Sequence, residues 1–413
     1  MRILVVSSWF PYPPDNGSKL RAYHLLRELS KRHSITLLSF AEPGEERYAD
    51  GLIGMCDALR TVPGNPFKPG RRLGMRGLFS AMPRSYRQTF SPAMQALVDE
   101  GIATHDAAIG LEVGAALYLE RARAIPRIFD EAEVTVIREQ FASKTRLLKR
   151  LRYELTWWKY SRFMSALSRR FDCVTVVSEL ERDQLIHIGC DARRIALISN
   201  GVEASDLNVI PTPQAAALIY SGSLTYSANY DAVQYFLAES FPLIRKAQPE
   251  VTLRVTGATD GVPIDNLPNR DGVTFTGYVP DVKTLIAQSS VCVVPLHIGG
   301  GTRLKIIQSM ALGTPVVSTP KGAEGLSVTP EENILIGETP QQFADQVLRL
   351  LTDEALRVRL TANARQLVAR QYTWDNIGSR LDVLLADTHR SFQARYGAGP
   401  GKPPARRLDG EFR

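Results

Sequence analysis

Short β-branched and aliphatic runs alternate with stretches of helical period along most of the chain. Arg2 to Ser7 is apolar enough for a strand buried on both faces. The stripe Leu20, Tyr23, Leu26 and Leu29 predicts a helix from about Lys19 to Arg32, and Ser34 to Phe40 reads as the next strand. Ala107 to Leu111, Arg127 to Phe129 and Cys173 to Val177 continue the series. After a polar, proline-containing stretch, Glu203 to Pro213, the rhythm restarts. Strands are expected at Leu218 to Tyr220, Thr252 to Thr256, Val273 to Thr276, Val291 to Pro295 and Pro315 to Ser318, with a helix near Asp231 to Gln248. Strands separated by helices imply parallel sheets, and two such series in 413 residues predict two domains, 1–205 and 206–375. The remainder reads as helical at Gln341 to Leu351, Glu354 to Tyr372 and Ile377 to Phe392. The last of these lies in a segment, 376–396, that returns to the first domain, and a Gly-, Pro- and Arg-rich tail, 397–413, reads as disordered.

Chemistry concentrates between Pro295 and Leu326. Gly299, Gly300 and Gly301 stand where the strand from Val291 hands over to a helix expected from Thr302, as N-cap, to Gly313, as left-handed C-terminal residue. Arg303 and Lys305 then fall in the first turn, where cations oppose the helix dipole unless an anion is bound, so the pattern points to a phosphate site. The same spacing also fits a glycine-rich turn carrying two solvated cations.

Gly300-Gly301-Thr302-Arg303-Leu304-Lys305, Met310-Ala311-Leu312-Gly313-Thr314-Pro315-Val316-Val317 and Gly322-Ala323-Glu324-Gly325-Leu326 resemble the donor-site signature of family 4 glycosyltransferases. The resemblance covers about Met1 to Phe392. It implies the α/β architecture called GT-B: two facing Rossmann-like domains with parallel sheets and a C-terminal helix crossing back to the first. It also implies a nucleotide-diphosphate sugar held mainly by the second domain, metal-independent transfer with retained configuration, and no cofactor beyond that co-substrate. Donor-side residues by this resemblance are Gly17 in the loop after the first strand, Gly222 after Leu218 to Tyr220, Gly300, Gly301, Thr302, and Tyr278 near the base. Leaving-group stabilisation then rests on Arg303, Lys305 and the backbone amides of Gly301, Thr302 and Gly17.

Three departures stand out. Many members carry paired carboxylates spaced Glu-x7-Glu, and alignment places Gly300 and Gln308 there. Many carry Arg and Lys in the loop after the first strand of the second domain, but Ser223 to Asn229 has neither. A histidine frequent after the strand Arg127 to Phe129 is replaced in Asp130-Glu131-Ala132-Glu133. In open α/β sheets ligands lie beyond the carboxyl ends of strands, so Glu112, Asp130, Glu131 and Glu133 are candidates for the acceptor side; the other reading is acids favouring helix N-termini.

Composition narrows the partners. A formal charge of +7 permits anionic substrates, nucleic acid or anionic membrane. Ser143 to Phe171 reads as a basic helix whose Leu147, Leu148, Leu151, Leu155, Trp158, Phe163 and Leu167 form a stripe, either a core face or a membrane-surface one. Asn65 to Arg87, basic with interleaved aromatics, is a second candidate for a lipid surface. No run reaches the ~18 apolar residues of a spanning helix, Met1 to Val6 is too short for a signal peptide, and the four cysteines have no metal or redox spacing. The expectation is a cytoplasmic enzyme, peripheral to the membrane's inner face, that uses a nucleotide sugar and a glycan or lipid-linked acceptor and binds no nucleic acid. Its rivals are a sugar-nucleotide epimerase of the same fold and a binding-only relative.

Overall fold

The structure, a computed structural model, describes residues 1–64, 90–130, 134, 135, 138, 147–299 and 302–397. The Asn65 to Arg87 candidate, Glu131, Glu133, Gly300, Gly301 and the tail beyond 397 lie outside them. The chain divides into two compact units, Met1–Ser199 with Gly378–Arg413, and Asn200–Ile377. Asn200–Ile377 closes on itself early, because Val202 N–H donates to the Tyr372 carbonyl at 2.8 Å and Trp374 N–H to the Val202 carbonyl at 3.0 Å.

In the first unit seven parallel strands run in the order β3 (Ala58–Pro63), β2 (Ser34–Ala41), β1 (Arg2–Ser7), β4 (Ala107–Leu111), β5 (Arg127–Asp130), β6 (Cys173–Val176), β7 (Ile195–Leu197). Ile3 to Val6 of β1 are buried on both faces, as a central parallel strand requires. The order reverses between β1 and β4, which places a ligand crevice beyond their carboxyl ends. Helix α1 (Gly17–Ser30) follows β1, and its N-cap is Asn16, whose side-chain oxygen accepts from Lys19 N–H at 3.0 Å. Asn16 thus supplies a cap where a second glycine could not. Gly17 is the first helical residue, not a turn residue ahead of the helix.

The expected stripe on Ser143 to Phe171 divides: Phe163 and Leu167 are buried, Leu155 and Trp158 are not, and the side chains of Leu147, Leu148 and Leu151 lie outside what the structure describes. In helix α4 (Leu147–Ser168), which follows the short helices α2 (Pro92–Ile102) and α3 (Glu112–Ala116), the buried hydrophobic residues among those described are Tyr160, Phe163, Met164 and Leu167. Leu155 and Trp158 are more than half exposed, at 53% and 54%. Leu155, Trp158 and Arg162 share a face one seven-residue repeat long, rotated away from the core.

The second unit repeats the topology: β10 (Val273–Gly277), β9 (Thr252–Thr256), β8 (Ala217–Ser221), β11 (Val291–Val294), β12 (Val316–Ser318), β13 (Leu335–Ile336), all parallel, reversing between β8 and β11. Helix α5 (Ser227–Tyr235) starts four residues before the expected helix and passes through a π-turn, Phe236–Ser240, before Phe241 to Ala247. Between β11 and β12 lies helix α6 (Leu304–Leu312), shorter than expected at its head. Thr302 is not its N-cap. The cap position falls on Arg303, with φ −77° and ψ 70° and no side-chain cap, since a guanidinium has no acceptor to offer; it donates instead to the Gly299 carbonyl at 2.5 Å. Gly313 ends the helix at φ 83°, and a Cβ there would stand 2.7 Å from the Arg365 guanidinium, so both conformation and space require glycine.

Candidate functional site

At the switch point of the second unit three strand-end turns stack side by side. Gly222 N–H donates to the Thr256 carbonyl, Leu224 N–H to the Ala258 carbonyl and Gly257 N–H to the Gly277 carbonyl, each at 2.9 Å. A Cβ on Gly257 would lie 2.6 Å from the backbone of Gly222 and Ser223, and Gly257 has φ +119°, so this close approach exists only with glycine. Tyr278, 73% exposed, stands at the far end of the row, after Gly277 of β10.

Beneath the Gly222 turn sits Lys305. Its ammonium donates to the Tyr220 hydroxyl at 2.9 Å and to Asn229 Oδ1 at 3.0 Å, while the Tyr220 hydroxyl donates to the same Oδ1 at 2.7 Å. Asn229 Nδ2 in turn donates to the Ser223 carbonyl at 2.8 Å, so one amide ties strand end, turn and lysine together. Tyr220 and Asn229 are site residues that sequence reasoning missed. Their signal was weak: a tyrosine and an asparagine nine positions apart, brought to Lys305 only by the β8 to β11 crossover.

Arg303, 7% exposed, donates to the Gly299 carbonyl, and Thr302 carries a buried hydroxyl with no partner among the described residues. Gln308 is half-buried one turn further along α6, and its side chain makes no hydrogen bond among the described residues. The structure therefore brings Gly222, Thr302, Arg303 and Lys305 to one strand-end crevice, with Gln308 on the adjoining turn of α6 and Tyr278 at the end of the row. Such a crevice, with a helix head, a glycine loop and two cations, suits a diphosphate.

The first unit builds a different pocket at its own switch point, lined by Ser7, Trp9, Ser18, Arg21, Ala22, Leu111, Glu112 and Asp130. Gly17 lies at its edge, exposed at the head of α1. Asp130 is buried and takes the Arg21 guanidinium on both oxygens, at 2.7 and 2.8 Å, plus the Thr175 hydroxyl at 2.5 Å. Its acceptors are largely occupied, which makes it a wall of the pocket. Glu112 is held differently. Both its oxygens receive the Trp9 indole N–H, at 3.0 and 3.1 Å, and Ser18 bonds to it as well, but its partners are neutral. Burial is the largest cause that pushes its carboxyl up to about 7; the Ser18 and Trp9 bonds oppose it, and the charge of Asp130 adds to it. Glu112 also sits at φ 65°, in the left-handed region that a glutamate rarely occupies. Arg21 was legible only as a cation inside the buried arc of α1.

These two parallel sheets, each reversing its strand order at its centre, define a protein of two Rossmann-like units. A family model described as Glycosyltransferase Family 4 matches residues 16–206, and one described as Glycosyl transferases group 1 matches residues 215–353. The chain belongs to the group 1, family 4 glycosyltransferases.

Among relatives, the putative glycosyltransferase YtcC of Bacillus subtilis is 30% identical over 123 residues, 29% of this chain and 30% of the relative. A GDP-mannose-dependent alpha-(1-6)-phosphatidylinositol monomannoside mannosyltransferase of Mycobacterium tuberculosis is 29% identical over 128 residues, 28% of this chain and 33% of the relative. The chain thus spans about a third of the length of these curated relatives. The crystal structure of Anabaena HepE with UDP and glucose superposes with a TM-score of 0.68 at 17% identity, covering 94% of this chain and 100% of the other. At that identity the likeness establishes the GT-B fold.

Proposed function

We propose that the protein transfers a sugar from a nucleotide-diphosphate sugar to a glycan or lipid-linked acceptor, in the synthesis of a polysaccharide or glycoconjugate. The observation that carries this reading is the strand-end crevice of the second unit, where Gly222, Thr302, Arg303 and Lys305 converge. The diphosphate binds there, with the base toward Tyr278 and the ribose toward Gln308. Gly300 and Gly301 supply backbone amides between. As the sugar's anomeric bond breaks, negative charge grows on the leaving diphosphate, and cations held in place before reaction stabilise it without reorganising. Transfer retains configuration and uses no metal or further cofactor, and a donor phosphate oxygen takes the proton of the acceptor hydroxyl. Glu112 borders the acceptor pocket, with Asp130 as its wall; Gly17 contributes an amide from the head of α1.

The acceptor is presented at an anionic membrane surface, on the cytoplasmic side. The exposed Leu155, Trp158 and Arg162 face supports this, and a phosphatidylinositol-modifying relative is consistent with it. The replacement of both family carboxylates by Gly300 and Gln308 favours a second reading, a relative that binds donor without turnover. A screen of UDP- and GDP-sugars with lipid-linked acceptors decides between them: release of nucleoside diphosphate that depends on acceptor supports transfer. Release without acceptor, with an altered sugar, indicates epimerisation, and donor binding with no release indicates the binding-only form.

A further inference from the structure

Lys305 is a buried amine without a countercharge. The groups that face it are Tyr220 of β8, Asn229 of α5, Cys292 of β11 and Arg303 at the head of its own helix, and among the described residues none of these is a carboxylate. Its hydrogen-bond acceptors are a neutral hydroxyl and a neutral amide. The amine also presses on backbone: a Cβ on Gly222 would lie 2.7 Å from Nζ, so the turn that ends β8 closes directly over it. Thr302, just ahead of α6, adds a buried hydroxyl that has no hydrogen-bond partner among the described residues. Among the described residues, the groups gathered around this amine are polar and none of them is negative.

Burial, reinforced by the nearby Arg303 and opposed by Cys292, pulls the Lys305 ammonium down to about 7. Burial thus favours the neutral amine in the free protein relative to an exposed lysine. An arriving diphosphate reverses the balance, because an anion within a few ångströms favours the charged form of the lysine and screening by water is weak there.

We propose that binding of a nucleoside diphosphate at the head of α6 is coupled to the uptake of one proton by Lys305, so that the site is completed by solvent as well as by ligand. The proton passes from water or buffer to Nζ; no other bond forms or breaks. This rests on reading the crevice as the diphosphate site, and it adds that affinity falls as pH rises above the range where the free amine titrates, since the proton must then be drawn from a more dilute pool.

The test is calorimetry with UDP and with GDP in buffers of different ionisation enthalpy, near pH 8 and near pH 6. Near pH 8 the terminal phosphate, with its second pKa about 6, is already ionised and contributes little proton exchange of its own. The expected result near pH 8 is a buffer-dependent heat corresponding to nearly one proton taken up per nucleotide, with about tenfold weaker binding and no uptake in Lys305→Met. Near pH 6, where the amine is already charged, the uptake disappears. Tight binding with no buffer dependence near pH 8 overturns the coupling but leaves the donor site standing. Failure of both nucleotides to bind removes the donor site and the coupling with it. Should Lys305→Met not fold, the Lys305 Cε resonance of the intact protein carries the same decision: its titration must move upward when UDP is added, and an unmoved midpoint overturns the proposal.

Discussion

Trp9 and Glu112 come from opposite sides of the reversal in the first sheet, and the indole N–H lies 3.0 and 3.1 Å from the two carboxylate oxygens. Neutral donors, Trp9 and Ser18, satisfy that carboxylate, whereas Asp130 next to it takes the Arg21 guanidinium on both oxygens. The pair therefore carries a stability signature. The folded-state carboxyl titrates near 7 against 4.5 when free, so the folded protein binds more protons between those values, and stability falls as pH rises through that window and levels off above it. Glu112→Gln does not titrate. It should gain on the parent across that window by up to roughly 3 kcal/mol, the full linkage limit. Urea unfolding of both proteins at pH 5 and pH 8 checks this, and a difference independent of pH would mean the carboxylate is well solvated or paired.

Backbone conformation at the same residue gives a second, separable effect. A left-handed glutamate costs on the order of 1 kcal/mol or more, and glycine relieves it. Glu112→Gly should therefore be at least as stable as the parent near neutral pH and lose acceptor-dependent turnover while UDP binding, which rests mainly on Arg303 and Lys305, is kept. Loss of nucleotide binding in this variant would contradict the assignment of the two pockets.

Arg303 braces Gly299 from a nearly buried position and also faces the crevice. Arg303→Ala should weaken UDP or GDP binding by about 1.5–3 kcal/mol, the range for hydrogen bonds to charged groups. Unchanged affinity in calorimetry would leave the glycine loop a structural turn.

Gln308 occupies the place of a family carboxylate, half-buried on the second turn of α6. Its amide can bridge a ribose diol by donating and accepting, without the charge-assisted strength of a carboxylate. Gln308→Glu should keep or tighten nucleotide binding, and Gln308→Leu should weaken it by about 1 kcal/mol or more. Equal binding by Gln308→Leu and the parent would remove this residue from the ribose pocket.

Much of the fold was legible because its signals are local. Ile3 to Val6, Val291 to Val294 and the left-handed Gly313 declare themselves by runs of apolar residues and by one glycine before proline-containing sequence. The sites were legible only where family motif and local geometry coincide, as at Lys305. Arg21 and Asp130 are 109 positions apart, and Lys305 and Tyr220 are 85 apart, so nothing in spacing joins them. The head of α6 shows a different failure. Thr302 has good N-cap chemistry, but the helix begins one residue later with Arg303 in the cap position, its guanidinium donating to the Gly299 carbonyl four residues back, so a local contact accompanies the loss of the expected cap.

Helix α4 supplies the remaining test, because its stripe fits either a core face or a membrane surface, and the fold buries Phe163 and Leu167 while turning Leu155 and Trp158 outward. Leu155 and Trp158 lie on one face with Arg162, whose guanidinium stacks over the Trp158 ring at 5.0 Å. Tyr160, Phe163, Met164 and Leu167 meanwhile occupy the core side. Exposed aliphatic and indole groups beside a cation match what a headgroup layer accepts: the rings enter the interface and the charge meets anionic lipid. The parent should sediment with vesicles containing phosphatidylglycerol more than with phosphatidylcholine alone, and the excess should fall as salt rises toward 1 M, where the Debye length shrinks to about 3 Å. Because both side chains are exposed, Leu155→Ser with Trp158→Ser should leave the unfolding midpoint nearly unchanged, as surface substitutions generally do, while lowering vesicle binding severalfold. Equal and negligible sedimentation of the parent with both lipids would point instead to a soluble acceptor. Binding that survives the double substitution would move the contact off this face.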